Sequence, residues 1–159
     1  MTVDLHSIRQ RGLTLIEMMI VVSILGILSA IVYPTFTDIQ EEAKINATIA
    51  DLTAMKTAFM LYQQDNGQWP RNAKPEVMPV GLEDYLPPDA FSTTPPIGGR
   101  YDCAPGLDRP KIIVRIISSQ VNKDLDLWQE IDSRIDDGDL STGTVFRKGR
   151  NLAYMISAE

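Results

Sequence analysis

The sequence predicts an α+β protein: a long N-terminal helix, membrane-spanning in its first half, packed by its second half on a small antiparallel β-sheet of three or four strands. Three observations predict it. Leu13 to Phe36 is an apolar run of 24 residues with a single charge, Glu17. From Thr35 to Tyr62 the apolar residues recur at helical spacing. Beyond Lys111, short segments rich in β-branched residues read as strands.

A chain of 159 residues holds one ordinary domain with a short appendage. Its 15 Lys+Arg against 21 Asp+Glu give a net charge of −6. An acidic chain is a poor partner for a polyphosphate backbone, so no nucleic-acid partner is expected, unless a local patch at Arg109, Lys111 and Arg115 matters. The lone cysteine, Cys103, excludes an intrachain disulfide and a multi-cysteine zinc site. The lone histidine, His6, sits near the N-terminus, which removes histidine chemistry from the body of the chain. With no nucleophile motif either, the chain reads as a non-enzyme with no catalytic residue, no metal and no cofactor.

The apolar run comes first. A 24-residue helix spans about 36 Å, enough for a bilayer core of about 30 Å. Arg9 and Arg11 precede it, and Asp38, Glu41 and Glu42 follow, which orients the N-terminus inside and the remainder outside. The run is too long for the core of a secretory signal, and Leu28-Ser29-Ala30 is a poor cleavage site, so a retained anchor fits better. Glu17 is the odd residue, since a carboxylate in an apolar helix costs a few kcal/mol. Two readings stay open. It snorkels to the headgroups, five residues past Gly12, or it pairs with a cation. No cation lies within a turn on its C-terminal side, but a cut after Gly12 would expose an amine on Leu13 that a neighbouring copy could present.

The segment from Arg11-Gly12-Leu13-Thr14-Leu15-Ile16-Glu17 through Leu28 resembles the class III signal of type IV pilins and type II secretion pseudopilins. The resemblance implies cleavage by a prepilin peptidase after Gly12, N-methylation of Leu13, and a role for Glu17, the fifth mature residue, in assembly. Leu13 stands where the family most often has Phe. Pro34 matches the family's kink-forming proline, and a missing N–H with a clash into the preceding turn explains why the helix should bend there. Small residues Gly26, Ser29 and Ala30 suit close helix approach but are also common in any membrane helix.

The amphipathic continuation follows. Ile45, Ile49, Leu52, Met55, Phe59 and Tyr62 form one stripe, with Ala43, Ala47, Ala50, Ala54 and Ala58 beside it. One helix is therefore expected from Leu13 to Gln64, ended by Asp65-Asn66-Gly67 with Gly67 as a left-handed cap. Tyr62, Asn66-Gly67 and Trp69-Pro70 resemble the helix end of many pseudopilins, and Trp69 is placed to fold back.

Nine of the ten prolines fall between residues 70 and 110, so that stretch reads as a turn-rich connection with a short helical turn near Gly81 to Tyr85. Strands are expected at Gly99–Cys103, Lys111–Ser118, Gly143–Lys148 and Asn151–Ser157, the last two forming a hairpin. Between them Asn122 to Ile135 reads as a helix on Leu125, Trp128, Ile131 and Ile135, with Asn122 or Asp124 to cap its start and Gly138 its end.

The acidic cluster Asp132, Asp136, Asp137 and Asp139 has two readings: a solvated helix end, or a calcium site, which major pseudopilins can carry in a C-terminal loop. Asp137-Gly138-Asp139 does not fit the EF-hand spacing. Gly98-Gly99 is no phosphate loop, and Cys103 reads as a small residue at a strand end.

The resemblance implies three parts: a leader at 1–12, a transmembrane and assembly half of the helix at 13–36, and a periplasmic head at 37–159. It implies a structural subunit of a type II secretion pseudopilus; the alternative is a type IV pilus subunit for adhesion, motility or DNA uptake. Its partners would be other pilin-like subunits, the prepilin peptidase, an inner-membrane assembly platform and membrane lipid. A membrane-tethered periplasmic binding module is the remote alternative. The absence of a second cysteine and the helix-end motif favour secretion.

Overall fold

The computed structural model describes residues 12–105 and 111–157, without the side chains of 31–36, 105 and 121–123. The chain divides into two units, Met1–Gln40 and Glu41–Glu159. Helix α1 runs unbroken over Leu15–Asn66. α1 continues through Pro34, where a bend is expected, and the leader expected at 1–12 lies outside the described residues but for Gly12.

In the first unit every large apolar side chain from Leu13 to Leu28 is exposed, Val21 at 46% and Leu15 at 78% marking the range. A helix apolar on all sides needs a cover that this unit does not itself provide. The two serines among its described residues are already satisfied: Ser23 Oγ donates to the Met19 carbonyl at 2.7 Å and Ser29 Oγ to the Leu25 carbonyl at 2.7 Å. Those bonds let them sit in an apolar medium. Among the described residues no helix is long and apolar enough to cross a membrane. The helical part of the apolar stretch with described side chains runs from Leu15 to Ala30 and would span about 24 Å, short of a core of about 30 Å.

The second unit is a four-stranded antiparallel sheet with two helical elements. Strands β1 (Arg100–Pro105), β2 (Lys111–Ile117), β3 (Val145–Lys148) and β4 (Asn151–Ser157) take the order β1-β2-β4-β3. Helix α2 (Val121–Ile135) lies between β2 and β3 in the chain. The β3–β4 hairpin closes from Lys148 to Asn151, with Gly149 at φ +63°. A two-residue loop with glycine first requires that positive φ.

Alternation sorts the sheet. Ile112, Val114 and Ile116 of β2, Leu152, Tyr154 and Ile156 of β4, and Tyr101 and Cys103 of β1 join one core. Ile45, Leu52, Met55, Ala58 and Phe59 of α1 and Trp128 and Ile131 of α2 complete it. The expected stripe on α1 is the buried one, with Ile49 and Tyr62 at its margin. Of the neighbouring alanines only Ala58 is buried. Gly67, at φ +67°, donates to the Gln63 carbonyl at 2.8 Å and ends α1, and Trp69 packs back on the core.

The opposite face of the sheet holds Asp102, Ile113 and Ala153, all buried. Asp102 and Arg115 face each other across β1 and β2 and are joined by a charge-assisted hydrogen bond. The Pro-rich connection covers the edge of β1: Glu76 N–H donates to the Tyr101 carbonyl at 2.9 Å. Near Gly81 the expected turn forms, with Leu86 N–H donating to the Leu82 carbonyl at 3.0 Å.

One cap differs from expectation. The residue before α2 is Gln120, with no side-chain cap, and Asp124 falls in the first turn. There it accepts the Ser118 hydroxyl, while Ser118 Oγ accepts from Gln120 N–H at 2.9 Å. Asp124 still favours the helix start through its charge.

Candidate functional site

Two regions carry the chemistry. The first is the start of α1. Gly12 and Leu13 are exposed, and among the described residues nothing lies within 4 Å of the position a Cβ on Gly12 would occupy. Glu17 is bound inside its own first turn. Its Oε2 accepts from Thr14 N–H at 2.7 Å and from Thr14 Oγ1 at 2.6 Å, and Thr14 Oγ1 accepts from Glu17 N–H at 3.3 Å. This is a reciprocal capping box, which satisfies two donors that a helix start leaves unpaired. The Thr-x-x-Glu signal stands in the sequence, and Thr14 is the residue the sequence reading left without a role. The carboxylate is thereby held at the helix N-terminus, beside Leu13. Removal of residues 1–12 would leave the capping box whole, because both members follow the cut.

The second region is the end of α2. Carboxylate oxygens of Asp132, Asp136 and Asp137 lie within 4.8 Å of one another. Asp139 turns away: its Oδ1 accepts from Ser141 N–H at 3.0 Å and from Ser141 Oγ at 2.6 Å. Asp136 is gripped by Thr144, whose N–H and hydroxyl both donate to it. Those bonds, the Thr144 N–H foremost, hold the Asp136 carboxyl below the usual carboxylate range. Asp137 Oδ2 accepts from Thr142 Oγ1 at 2.8 Å. Gly143 at φ +78° passes so close to Asp136 that a Cβ would stand 1.8 Å from its Oδ2. Gly138, expected to cap α2, stands at φ +80° two residues beyond the actual cap, Asp136, whose N–H donates to the Asp132 carbonyl at 2.6 Å.

The reading of this cluster as a solvated helix end fails at one member. Asp132 is 0% exposed, and neither of its oxygens has a hydrogen-bond partner. Burial, and then the charges of Asp137, Asp136 and Asp139, push its carboxyl up to about 6. The signal was present: Asp132 stands four residues after Trp128, on the buried side of α2. Three carboxylates at this spacing are donors suited to a hard divalent cation.

The remaining polar groups are structural. Tyr101 OH donates to Asp51 Oδ2 at 2.8 Å, and burial together with that bond pushes the phenol up. Cys103 is buried, and its thiol is pushed up to about 12 by burial and by Asp102. Arg115 is committed to Asp102, and Lys111 is half-buried. Arg109, the third member of the basic patch, lies outside the described residues.

Residues 8–33 match the model of the prokaryotic N-terminal methylation motif. The type II secretion system core protein G of Escherichia coli (strain K12) is 31% identical over 94 residues, 59% of this chain and 59% of that protein. The core protein G of Klebsiella michiganensis is 32% identical over 103 residues, 58% of this chain and 71% of that protein. A fimbrial protein of Neisseria meningitidis serogroup B is 30% identical over 124 residues, 75% of this chain and 65% of that protein. The chain spans 59% of the Escherichia coli protein and 65% of the Neisseria one, less than two thirds of either. A bare apolar helix that opens on a methylation motif and continues into an α+β head, with relatives of this identity and coverage, places the chain in the type IV pilin and type II secretion pseudopilin family.

Proposed function

We propose that this chain is a structural subunit of a type II secretion pseudopilus. In this reading a prepilin peptidase removes residues 1–12 by cutting after Gly12, and Leu13 is N-methylated. Residues 13–36 anchor the subunit once in the inner membrane, N-terminus in the cytoplasm, and residues 37–159 form the periplasmic head. An inner-membrane platform then moves subunits from lipid into a filament. The observation that carries this reading is the apolar run around Glu17, exposed on every side from Leu13 to Leu28. Burying such a side chain fully is worth about 1.5–3 kcal/mol. A dozen of them left in water would be prohibitive, so lipid first and neighbouring helices afterwards must cover them. Glu17 faces a lower cost if a neighbour's Leu13 amine joins its capping box, since a paired charge in an apolar layer is far cheaper than a lone one.

The subunit's work is positional, and no chemistry of its own is needed for it. Pro34 would loosen the helix just past its apolar half. A type IV pilus subunit is the second reading, favoured by the longer match to the Neisseria fimbrial protein. Cys103, buried and the one cysteine of the chain, favours the secretion reading. The test is Glu17→Ala in the native host, scored by sheared filament yield and by the proteins released to the medium. Lost filaments with lost secretion support the proposal. Lost filaments with intact secretion and lost twitching or adhesion favour the pilus. Filaments unchanged by Glu17→Ala would remove the assembly role.

A further inference from the structure

Two exposed clusters of opposite charge stand far apart on the head. Where α1 enters the head, Glu41 and Lys44 line a groove of about 380 Å³ together with Ser118, Ser119, Asp124 and Asp126. The β3–β4 hairpin joins this end directly: Arg150 Nη2 donates to the Ser119 carbonyl at 3.0 Å, and Ser118 N–H donates to the Arg150 carbonyl. Arg147, Lys148 and Arg150 are exposed within four residues of chain. Arg147 Nε reaches a neutral partner, the Gly149 carbonyl, at 3.0 Å. Among the described residues the ion pairs join Arg100 to Glu76, Arg115 to Asp102, and Arg134 to Glu42 and Glu130, so the three hairpin cations have none.

The far end of α1 carries an exposed acidic cluster. Asp65 lies 24 residues beyond Glu41, about 36 Å along the helix. Tyr85 OH donates to Asp65 Oδ2 at 2.6 Å, which sets the Glu83–Asp84 turn beside the helix end. Glu83 Oε2 accepts only from a backbone donor, Gly81 N–H, at 2.6 Å. Asp65, Glu83 and Asp84 are exposed and are absent from those ion pairs.

We propose that the Arg147–Lys148–Arg150 hairpin of one copy docks on the Asp65–Glu83–Asp84 end of the next copy. This contact rests on the filament reading. Opposite charges at opposite ends cannot meet within one molecule, but head-to-tail association of identical copies brings them together and leaves the chain of contacts open. Complementary patches of this kind set partner, register and encounter rate. An anionic membrane surface is the competing partner for the basic hairpin. It leaves the acidic end unexplained.

The experiment uses the full chain in its native host. R147E/K148E and E83K/D84K are made separately and together, and filament yield is measured after shearing. Each pair of reversals alone should lower the yield at least tenfold, and the combined variant should restore it to within twofold of the unaltered chain. Circular dichroism of each detergent-extracted variant checks that the head remains folded. Unchanged yield in either reversal, or no restoration in the combined variant, overturns the contact while leaving the filament reading in place. If R147E/K148E instead releases the extracted chain from vesicles containing phosphatidylglycerol and leaves filament yield unchanged, the hairpin meets lipid and the contact is overturned. Absence of filaments from the unaltered chain would remove the filament reading, and this contact with it.

Discussion

Replacing Asp132 by Asn should stabilise the head at neutral pH. The side chain is buried with both oxygens unpartnered, and its carboxyl is pushed from 3.8 up to about 6. A shift of this size corresponds to about 3 kcal/mol between the two protonation states, an upper bound because the three neighbouring aspartates sit at the surface and are screened. The sign follows from the direction. The folded-state value lies above the unfolded one, so the protonated group contributes fully below about pH 4, and that contribution is lost as pH rises through about 6. Asparagine never ionises. Asp132→Asn should therefore match the parent at pH 4 and exceed it at pH 7, by roughly 10 °C in Tm. The assay is thermal unfolding of the detergent-solubilised full chain, followed by far-UV circular dichroism in EDTA from pH 4 to pH 8. A Tm gap that is absent at pH 7, or that does not grow with pH, refutes the reasoning. Millimolar Ca²⁺ or Mg²⁺ should raise the Tm of the parent and close the gap if the three carboxylates hold a cation. No response to either ion removes the cation reading.

Other expectations follow from the same structure. Cys103, buried with its thiol pushed up to about 12, should resist iodoacetamide at pH 8 in the folded chain and react within minutes in 6 M guanidinium, read by intact mass. Gly99→Ala should cost about 2–3 kcal/mol, because Gly99 holds φ +89° and a Cβ would stand 2.5 Å from the Ile117 carbonyl oxygen. Urea titration would show it as a lower midpoint at unchanged slope. Asp102→Ala strands Arg115, whose Nε is already buried and unpartnered, and should cost about 3 kcal/mol. The double change Asp102→Ala with Arg115→Met should recover most of that loss.

The fold was legible where periodicity is strong. The stripe from Ile45 to Tyr62, the β-branched run Lys111–Ile117 and the hairpin around Gly149 each repeat a local signal that tertiary packing then reinforces. Ends moved by one or two residues, because which nearby donors and acceptors pair settles each cap. Asp124 caps nothing since Ser118, six residues earlier, claims it. The buried Asp102 was not legible, because its burial depends on β1 pairing with β2 in the register that sets Arg115 opposite. Asp132 was legible and was misread: charge suggested solvent, whereas its place four residues after Trp128 put it on the inner face. At Glu17 the sequence reading looked for a cation and passed over the donors of Thr14, three residues away.

The central claim is that Glu17 and the apolar run belong to a processed filament subunit. The most direct measurement is the intact mass of the protein extracted from its native membrane, with and without Gly12→Ala. The account predicts a chain that has lost Met1 to Gly12 and carries one methyl group on Leu13, with both changes abolished by the substitution. A full-length, unmethylated chain in the native membrane would contradict it and favour a tethered module.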